Sequence, residues 1–231
     1  MILLEAQDLS KSFGNQTALN HIDLKLEVGK IIGLLGPNGS GKTTLLKIIN
    51  GLLVPTTGTI RIGGEEPGVI TKQHISYLPD TTYFPKWMRI TDLFNYFDDF
   101  YADFERPKAK EMLQRLNIPD KMKLKHMSKG TLEKVQLVLT MSRNANLYCL
   151  DEPIGGVDPA TRDYILQTII NNYSENASVL ISTHLIQDVE SVLDEVVFLQ
   201  NGQIRLHSSV DDIRESEGQS VDTLFREVFR C

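Results

Sequence analysis

One segment, Gly36-Pro37-Asn38-Gly39-Ser40-Gly41-Lys42-Thr43-Thr44, constrains this chain more than any other. It follows the continuously apolar Ile31-Ile32-Gly33-Leu34-Leu35 and precedes a helical pattern, Thr43 to Asn50, that ends at Gly51. Strand, glycine-rich turn and helix in that order are the context of a phosphate-binding loop. Glycines 36, 39 and 41 permit backbone conformations and close approaches that side chains block, so successive amide N–H groups are expected to face a β-phosphate, aided by the helix N-terminus. Lys42 would place a charge on the β- and γ-phosphates, Thr43 a hydroxyl on Mg²⁺, and Thr44 a donor near the α-phosphate. The competing reading is a glycine-rich turn with a solvated lysine, against which the strand and helix flanks weigh.

A second apolar run, Leu147 to Leu150, delivers Asp151 and Glu152 at its carboxyl end, where open α/β sheets bind ligands. Alone, two acids at a strand end are usually a solvated turn. Beside a phosphate loop, Asp151 is expected to hold Mg²⁺, through water, and Glu152 to accept a proton from an attacking water. Val179-Leu180-Ile181 is a third such run. Helical patterns at Pro159 to Tyr173, behind a capping Asp158, and at Leu185 to Leu193 complete a repeating strand–helix order that predicts a doubly wound parallel sheet. By contrast His21 to Val28 alternates apolar and polar residues, the period of an antiparallel strand with one wet face.

Between Pro79 and Arg143 apolar strands give way to helical patterns, including Met112, Leu113 and Leu116, then Leu132, Val135 and Leu139 after a capping Ser128. This predicts an inserted helical subdomain over about 79–143, within one domain spanning 1–231 whose core takes about 1–78 and 144–210. The end of the chain, with an Asn201-Gly202 hairpin turn after Val196 to Leu199 and an amphipathic pattern at Leu224, Phe225 and Val228, predicts a helical tail over 211–231. Tyr77 to Phe104 holds 10 of the 17 aromatic residues, among them Tyr83, Phe84, Trp87, Phe94, Phe97 and Phe100. They are either the packed core of the insertion or an exposed docking groove.

With 41% hydrophobic and 23% charged residues over 231 positions, the chain can bury the core of one large or two small domains. A net charge of -6 and a pI near 5.4 argue against a broad nucleic-acid surface. No run approaches the ~18 apolar residues of a membrane span, and the start lacks a signal-peptide pattern, so a soluble cytoplasmic protein is expected. Cys149 sits in an apolar run and Cys231 is the last residue, which suggests neither a disulfide framework nor a metal cluster.

These residues resemble the ATPase subunits of ATP-binding-cassette transporters over about residues 2–206. Met127-Ser128-Lys129-Gly130-Thr131 stands where that family reads LSGGQ, DEPIGGVDP (Asp151 to Pro159) resembles its DEPTSGLDP, Ser182-Thr183-His184 its switch histidine, and Lys11-Ser12-Phe13-Gly14 its adenine-stacking aromatic loop. The resemblance implies ATP and Mg²⁺ as ligands and a head-to-tail homodimer or heterodimer with composite sites. One subunit would supply Lys42, Thr43, Asp151, Glu152 and His184, the other Ser128 and the Gly130 amide, with Asp158 communicating across the interface. It further implies membrane-spanning partners on separate chains, a peripheral place on the inner face of the membrane, and a helix from those partners docked against the aromatic stretch. Three positions depart from the pattern. Lys129 replaces a glycine, Thr131 a glutamine, and Asp80, after Tyr77-Leu78-Pro79, a glutamine that normally reaches Mg²⁺ and water. The compact length and the variant motifs look more like bacterial exporter subunits, including those for drugs and antimicrobial peptides, than like sugar importers. Relatives that act on ribosomes or DNA are the alternative; the single cassette and acidic balance weigh against them, and no nucleic-acid partner is expected. A kinase or GTPase would leave the signature and His184 unexplained.

Overall fold

A computed structural model describes residues 1–173 and 176–229. In chain order the strands and helices begin with β1 (Ile2–Phe13), β2 (Gln16–Glu27), β3 (Ile31–Leu35), α1 (Lys42–Ile49), β4 (Thr57–Ile62), α2 (Val69–His74) and β5 (Ile75–Leu78). The helical stretch follows as α3 (Ile90–Phe100), α4 (Arg106–Arg115) and α5 (Lys129–Met141). The chain then returns to the sheet through β6 (Leu147–Asp151), α6 (Pro159–Asn172), β7 (Ser178–Thr183), α7 (Ile186–Val189), β8 (Glu195–Gln200) and β9 (Gln203–Ser209), and ends in α8 (Val210–Glu217) and α9 (Val221–Val228). No helix among the described residues is long and apolar enough to cross a membrane.

The described residues form two sheets. A three-stranded antiparallel sheet runs β2-β1-β4, and a six-stranded sheet runs β5-β6-β7-β3-β8-β9, parallel except for the β8–β9 hairpin. The large sheet is covered on both sides, which is why its central strands read as unbroken apolar runs. Alternate residues serve opposite layers. Ile32, Leu34, Leu147, Cys149 and Leu180 join α1 and the small sheet, whereas Ile31, Leu35, Tyr148, Leu150, Val179 and Ile181 join the core beneath the remaining helices. Each such fully buried aliphatic side chain contributes about 1.5–3 kcal/mol. Cys149 is among them, and burial pushes its thiol up to about 12, which leaves it an inert core residue. Cys231 lies outside the described residues.

The segment between β5 and β6 is helical and shares the second of these cores through Leu93, Phe94, Phe97, Met112 and Leu113. Arg143 fastens it to the sheet. Its buried guanidinium donates to the carbonyls of Gln73 and Ile75 and to both oxygens of Asp103, and lies 3.9 Å over the Tyr101 ring. Four of its five N–H donors, and each of its three nitrogens, thus have a partner where the side chain is buried.

Two elements differ from their sequence expectation. The antiparallel strand expected at His21 to Val28 begins at Gln16 and ends at Glu27; a bulge, with Asp8 and His21 both at positive φ, resets its alternation midway. The helix expected over Leu185 to Leu193 is one turn, Ile186–Val189, followed by a 3₁₀ turn at Glu190–Val192. Leu193 ends it because its side chain packs against Gly33 of β3, which draws the chain into extended backbone ahead of β8. The helical tail consists of two helices, α8 from Val210 and α9 carrying Leu224, Phe225 and Val228.

Candidate active site

Parallel strands end together, so the carboxyl ends of β5, β6, β7 and β3 bring Asp80, Asp151 with Glu152, Ser182 through His184, and the 36–44 loop to one edge. Close approach dictates the glycines there. A side chain on Gly36 would meet the Leu199 carbonyl at 2.3 Å; one on Gly41, at φ 111°, would meet that of Ala18 at 2.6 Å. The loop is therefore pinned between the β8–β9 hairpin and β2, and Gly202 donates its N–H to the Ser40 carbonyl at 2.9 Å. No side chain caps α1, so its first-turn amides face the open loop, and no acidic residue in that turn competes for them.

A pocket of 380 Å³ opens above this loop. Phe13 and Ala18, Asn38 to Thr44, and Asp80 and Glu152 line it. Phe13 stands at the tip of the β1–β2 hairpin, half exposed, its ring below the Lys11 ammonium at 5.1 Å. Lys42 is 6% exposed and donates to the carbonyls of Gly36 (2.7 Å) and Pro37 (3.2 Å), with Glu152 Oε1 3.5 Å away. Burial lowers its ammonium below the ordinary lysine value, against the pull of Glu152 and Asp151. Glu152 also meets His184 Nδ1 at 3.0 Å.

Asp151 lies just below, almost fully buried. Its Oδ1 accepts hydrogen bonds from Ser182 (2.5 Å) and Thr43 (3.2 Å), while Oδ2 has no partner among the described residues. Burial raises its carboxyl above the ordinary aspartate value; the two hydroxyls pull it back, and the Asp80 and Glu152 charges push it up again. A buried, unpaired carboxylate oxygen beside a threonine hydroxyl is a hard-oxygen donor set that suits Mg²⁺, which needs only one or two protein oxygens when phosphates and water supply the rest. Asp80 is exposed, and it lines both the pocket and an adjoining cleft shared with Asp151 and Lys129.

The structure does not bring every expected residue to this pocket. Ser128 N-caps α5, its hydroxyl accepting the Thr131 N–H at 3.1 Å, and is exposed; Gly130 has open space where a side chain would stand. Asp158 caps α6 through the Thr161 N–H and hydroxyl, also at the surface. The aromatic stretch splits. Phe84, Phe94, Phe97 and Phe104 are core, whereas Tyr83, Trp87, Tyr96 and Phe100 are exposed, and of these Tyr83 lines a groove of 470 Å³ with Lys47, Tyr77 and Tyr101. Sequence reasoning passed over Gln16 and Thr17, which line the pocket; only the start of β2 would have pointed to them.

The family model described as ABC transporter matches residues 19–155, more than half of the chain. The ABC transporter ATP-binding protein YtrB of Bacillus subtilis is 33% identical over 92% of this chain and 74% of its own length. The lantibiotic transport ATP-binding protein SrtF of Streptococcus pyogenes is 28% identical over 90% of this chain and 92% of its own. Among solved structures, an ATP-binding subunit of an ABC transporter superposes with a TM-score of 0.87 at 28% identity, covering 99% of this chain and all of that one. The cassette MJ0796, solved as a dimer after hydrolysis with ADP and phosphate, shares the fold with a TM-score of 0.79 at 20% identity over 90% of this chain and 98% of its own. The pocket and the matching family agree on the same chemistry, and the chain belongs to the ABC transporter family as an ATP-binding, ATP-hydrolysing subunit.

Proposed function

We propose that this subunit powers an exporter for drugs, peptides or similar compounds, working with membrane-spanning chains and with a second ATPase chain. The observation that carries the reading is the single pocket in which Phe13, the 38–44 loop and Glu152 face one another. Adenine would stack on Phe13, the loop amides and Lys42 would hold the β- and γ-phosphates, and Thr44 would donate near the α-phosphate. Bound Mg²⁺ supplies charge neutralisation on the phosphates. Thr43 and the free oxygen of Asp151 would hold it, with Asp80 reaching it through a water because its side chain is short. Glu152 would take the proton of the attacking water, and His184, hydrogen-bonded to that carboxylate, would keep it oriented. Lys42 must leave its carbonyl partners when phosphate arrives.

Ser128 and Asp158 are exposed, and Gly130 half-buried, at helix N-termini outside the lining of this pocket, which favours their use by a second subunit lying head-to-tail. Tyr83 on the groove it shares with Lys47 and Tyr101, together with the exposed Trp87, Tyr96 and Phe100 of the same stretch, supports docking of a helix from the membrane chains. Resemblance to a lantibiotic transport protein and the variant motifs support export. The acidic balance favours this over a ribosome- or DNA-bound role. The test is Glu152→Gln, expected to retain Mg-ATP binding while hydrolysis falls about 100-fold or more. Turnover near wild type would refute the general-base assignment.

A further inference from the structure

Ser182 is the penultimate residue of β7 and pairs in parallel register with Asp151 of β6. It is wholly buried among apolar neighbours of the sheet, where a hydroxyl is retained only if it is fully bonded. Its one hydrogen goes to Asp151 Oδ1 at 2.5 Å. Its oxygen accepts the Glu152 N–H at 3.1 Å, alongside the Ser182 carbonyl, which accepts the same N–H at 3.0 Å. Two acidic residues adjacent in sequence are thus tied to one hydroxyl of the next strand.

Each tie has a consequence for the site. A carboxylate turns freely about its terminal torsion, so something must decide which oxygen faces the nucleotide. Ser182, with Thr43 on the same atom, fixes Oδ1 and leaves Oδ2, which is also buried, as the unpartnered oxygen. Glu152 has φ 49°, in the left-handed region that a glutamate rarely adopts, so its backbone must be held by its surroundings. The Ser182 hydroxyl and carbonyl hold that N–H together. The same residue therefore sets the rotation of one carboxylate and the take-off direction of the other.

We propose that Ser182 is a positioning residue for ATP hydrolysis, whose hydroxyl presents Asp151 Oδ2 to the nucleotide-bound cation and fixes the backbone from which Glu152 reaches the γ-phosphate. Ser182 itself touches neither ligand. This rests on the roles given above to Asp151 and Glu152.

Ser182→Ala in the full chain is the decisive variant, because it removes one oxygen and adds no atom. Nucleotide affinity is measured with EDTA and with Mg²⁺, alongside ATPase rates across a Mg²⁺ titration and a thermal melt. Removing a partner that orients a metal ligand costs about 10–100-fold, so half-saturating Mg²⁺ should rise and kcat should fall by that order, while metal-free affinity stays within about twofold. Ser182→Thr, which keeps the hydroxyl, should recover most of the loss. The proposal is overturned if the alanine chain matches wild type in Mg²⁺ dependence and kcat, if its metal-free affinity falls in parallel, or if a folded threonine chain behaves like alanine. Asp151→Asn separates the two failures. If it too keeps normal Mg²⁺ dependence, the reading of Asp151 is wrong; if only Ser182→Ala does, the fault lies with Ser182 alone.

Discussion

The strand ends around Lys42 and the N-terminus of α5 around Ser128 are built in opposite ways. At the strand ends Lys42, Asp151, Glu152 and His184 are each held by a neighbouring group, with Asp80 alone of the acids exposed. Lys42 is buried against two carbonyls and Glu152, Glu152 meets His184, and Asp151 is tied to Ser182 and Thr43. The cost of that arrangement is visible in the directions of titration, with burial lowering Lys42 and raising Asp151. At α5, Ser128 makes a helix cap, Gly130 has open space beside it, and among the described residues Lys129 pairs with Glu133 at 3.7 Å. One region is preorganised for a ligand within a single chain; the other is a free helix end that acquires a purpose only when something approaches it.

The largest expected effect breaks the two regions apart. Lys42→Ala should lower both nucleotide affinity and turnover, the latter by about 10²–10³-fold. Ser128→Arg should lower turnover by about tenfold or more while the affinity of the single chain for ATP stays within about twofold. Equilibrium binding on the isolated chain decides it, since a parallel loss of affinity in both variants would place Ser128 in the same pocket as Lys42.

A second contrast lies within the aromatic stretch. Phe94 is 1% exposed and sits among Leu93, Phe97 and Phe104, so Phe94→Ala should destabilise the chain by about 3–5 kcal/mol. Phe100 is 67% exposed, and Phe100→Ser should move stability by no more than about 0.5 kcal/mol while weakening assembly with the membrane chains. Denaturant melts of the two chains check the first part. Equal destabilisation would mean that Phe100 belongs to the core.

The smallest effect sits at the opposite end of the sheet, where Lys30 and His207 flank Glu195. Burial by itself would raise Glu195, but the hydrogen bonds and charges of Lys30 and His207 outweigh it and leave the carboxyl below its ordinary value. A depressed carboxylate stabilises the fold above its unfolded pKa, and the gain is lost as pH falls through the folded one. Glu195→Gln should therefore lower Tm by about 2–4 °C near neutrality, with the difference shrinking toward acid and ATPase activity unchanged. Melting curves across that pH range are the check; a difference that grows toward acid would reverse the sign.

How much of this was legible in the chain depends on how local each cause is. β3, β6 and β7 announce themselves, because a strand covered on both faces can be apolar at every position. β1 does not, since its register shifts at Asp8 break the alternation that marks a half-wet strand. β4 contains Gly58, whose backbone comes so near Asp8 that a side chain would lie 2.2 Å from its carbonyl, a reason invisible without the partner strand. The phosphate loop and the acidic pair were readable because their spacing along one segment is the chemistry. Ser182 stood in a recognisable segment beside His184, yet its hold on Asp151 and Glu152 arises only when β6 and β7 lie side by side.

If this chain completes its ATP site with a second chain, as proposed above, sedimentation of the Glu152→Gln protein will show it. Without nucleotide the protein should sediment as one chain. With saturating Mg-ATP it should become a particle of two chains retaining two nucleotides, and adding Ser128→Arg should return it to one chain with ATP still bound. A Glu152→Gln protein that binds Mg-ATP to saturation and remains a single chain would contradict the account.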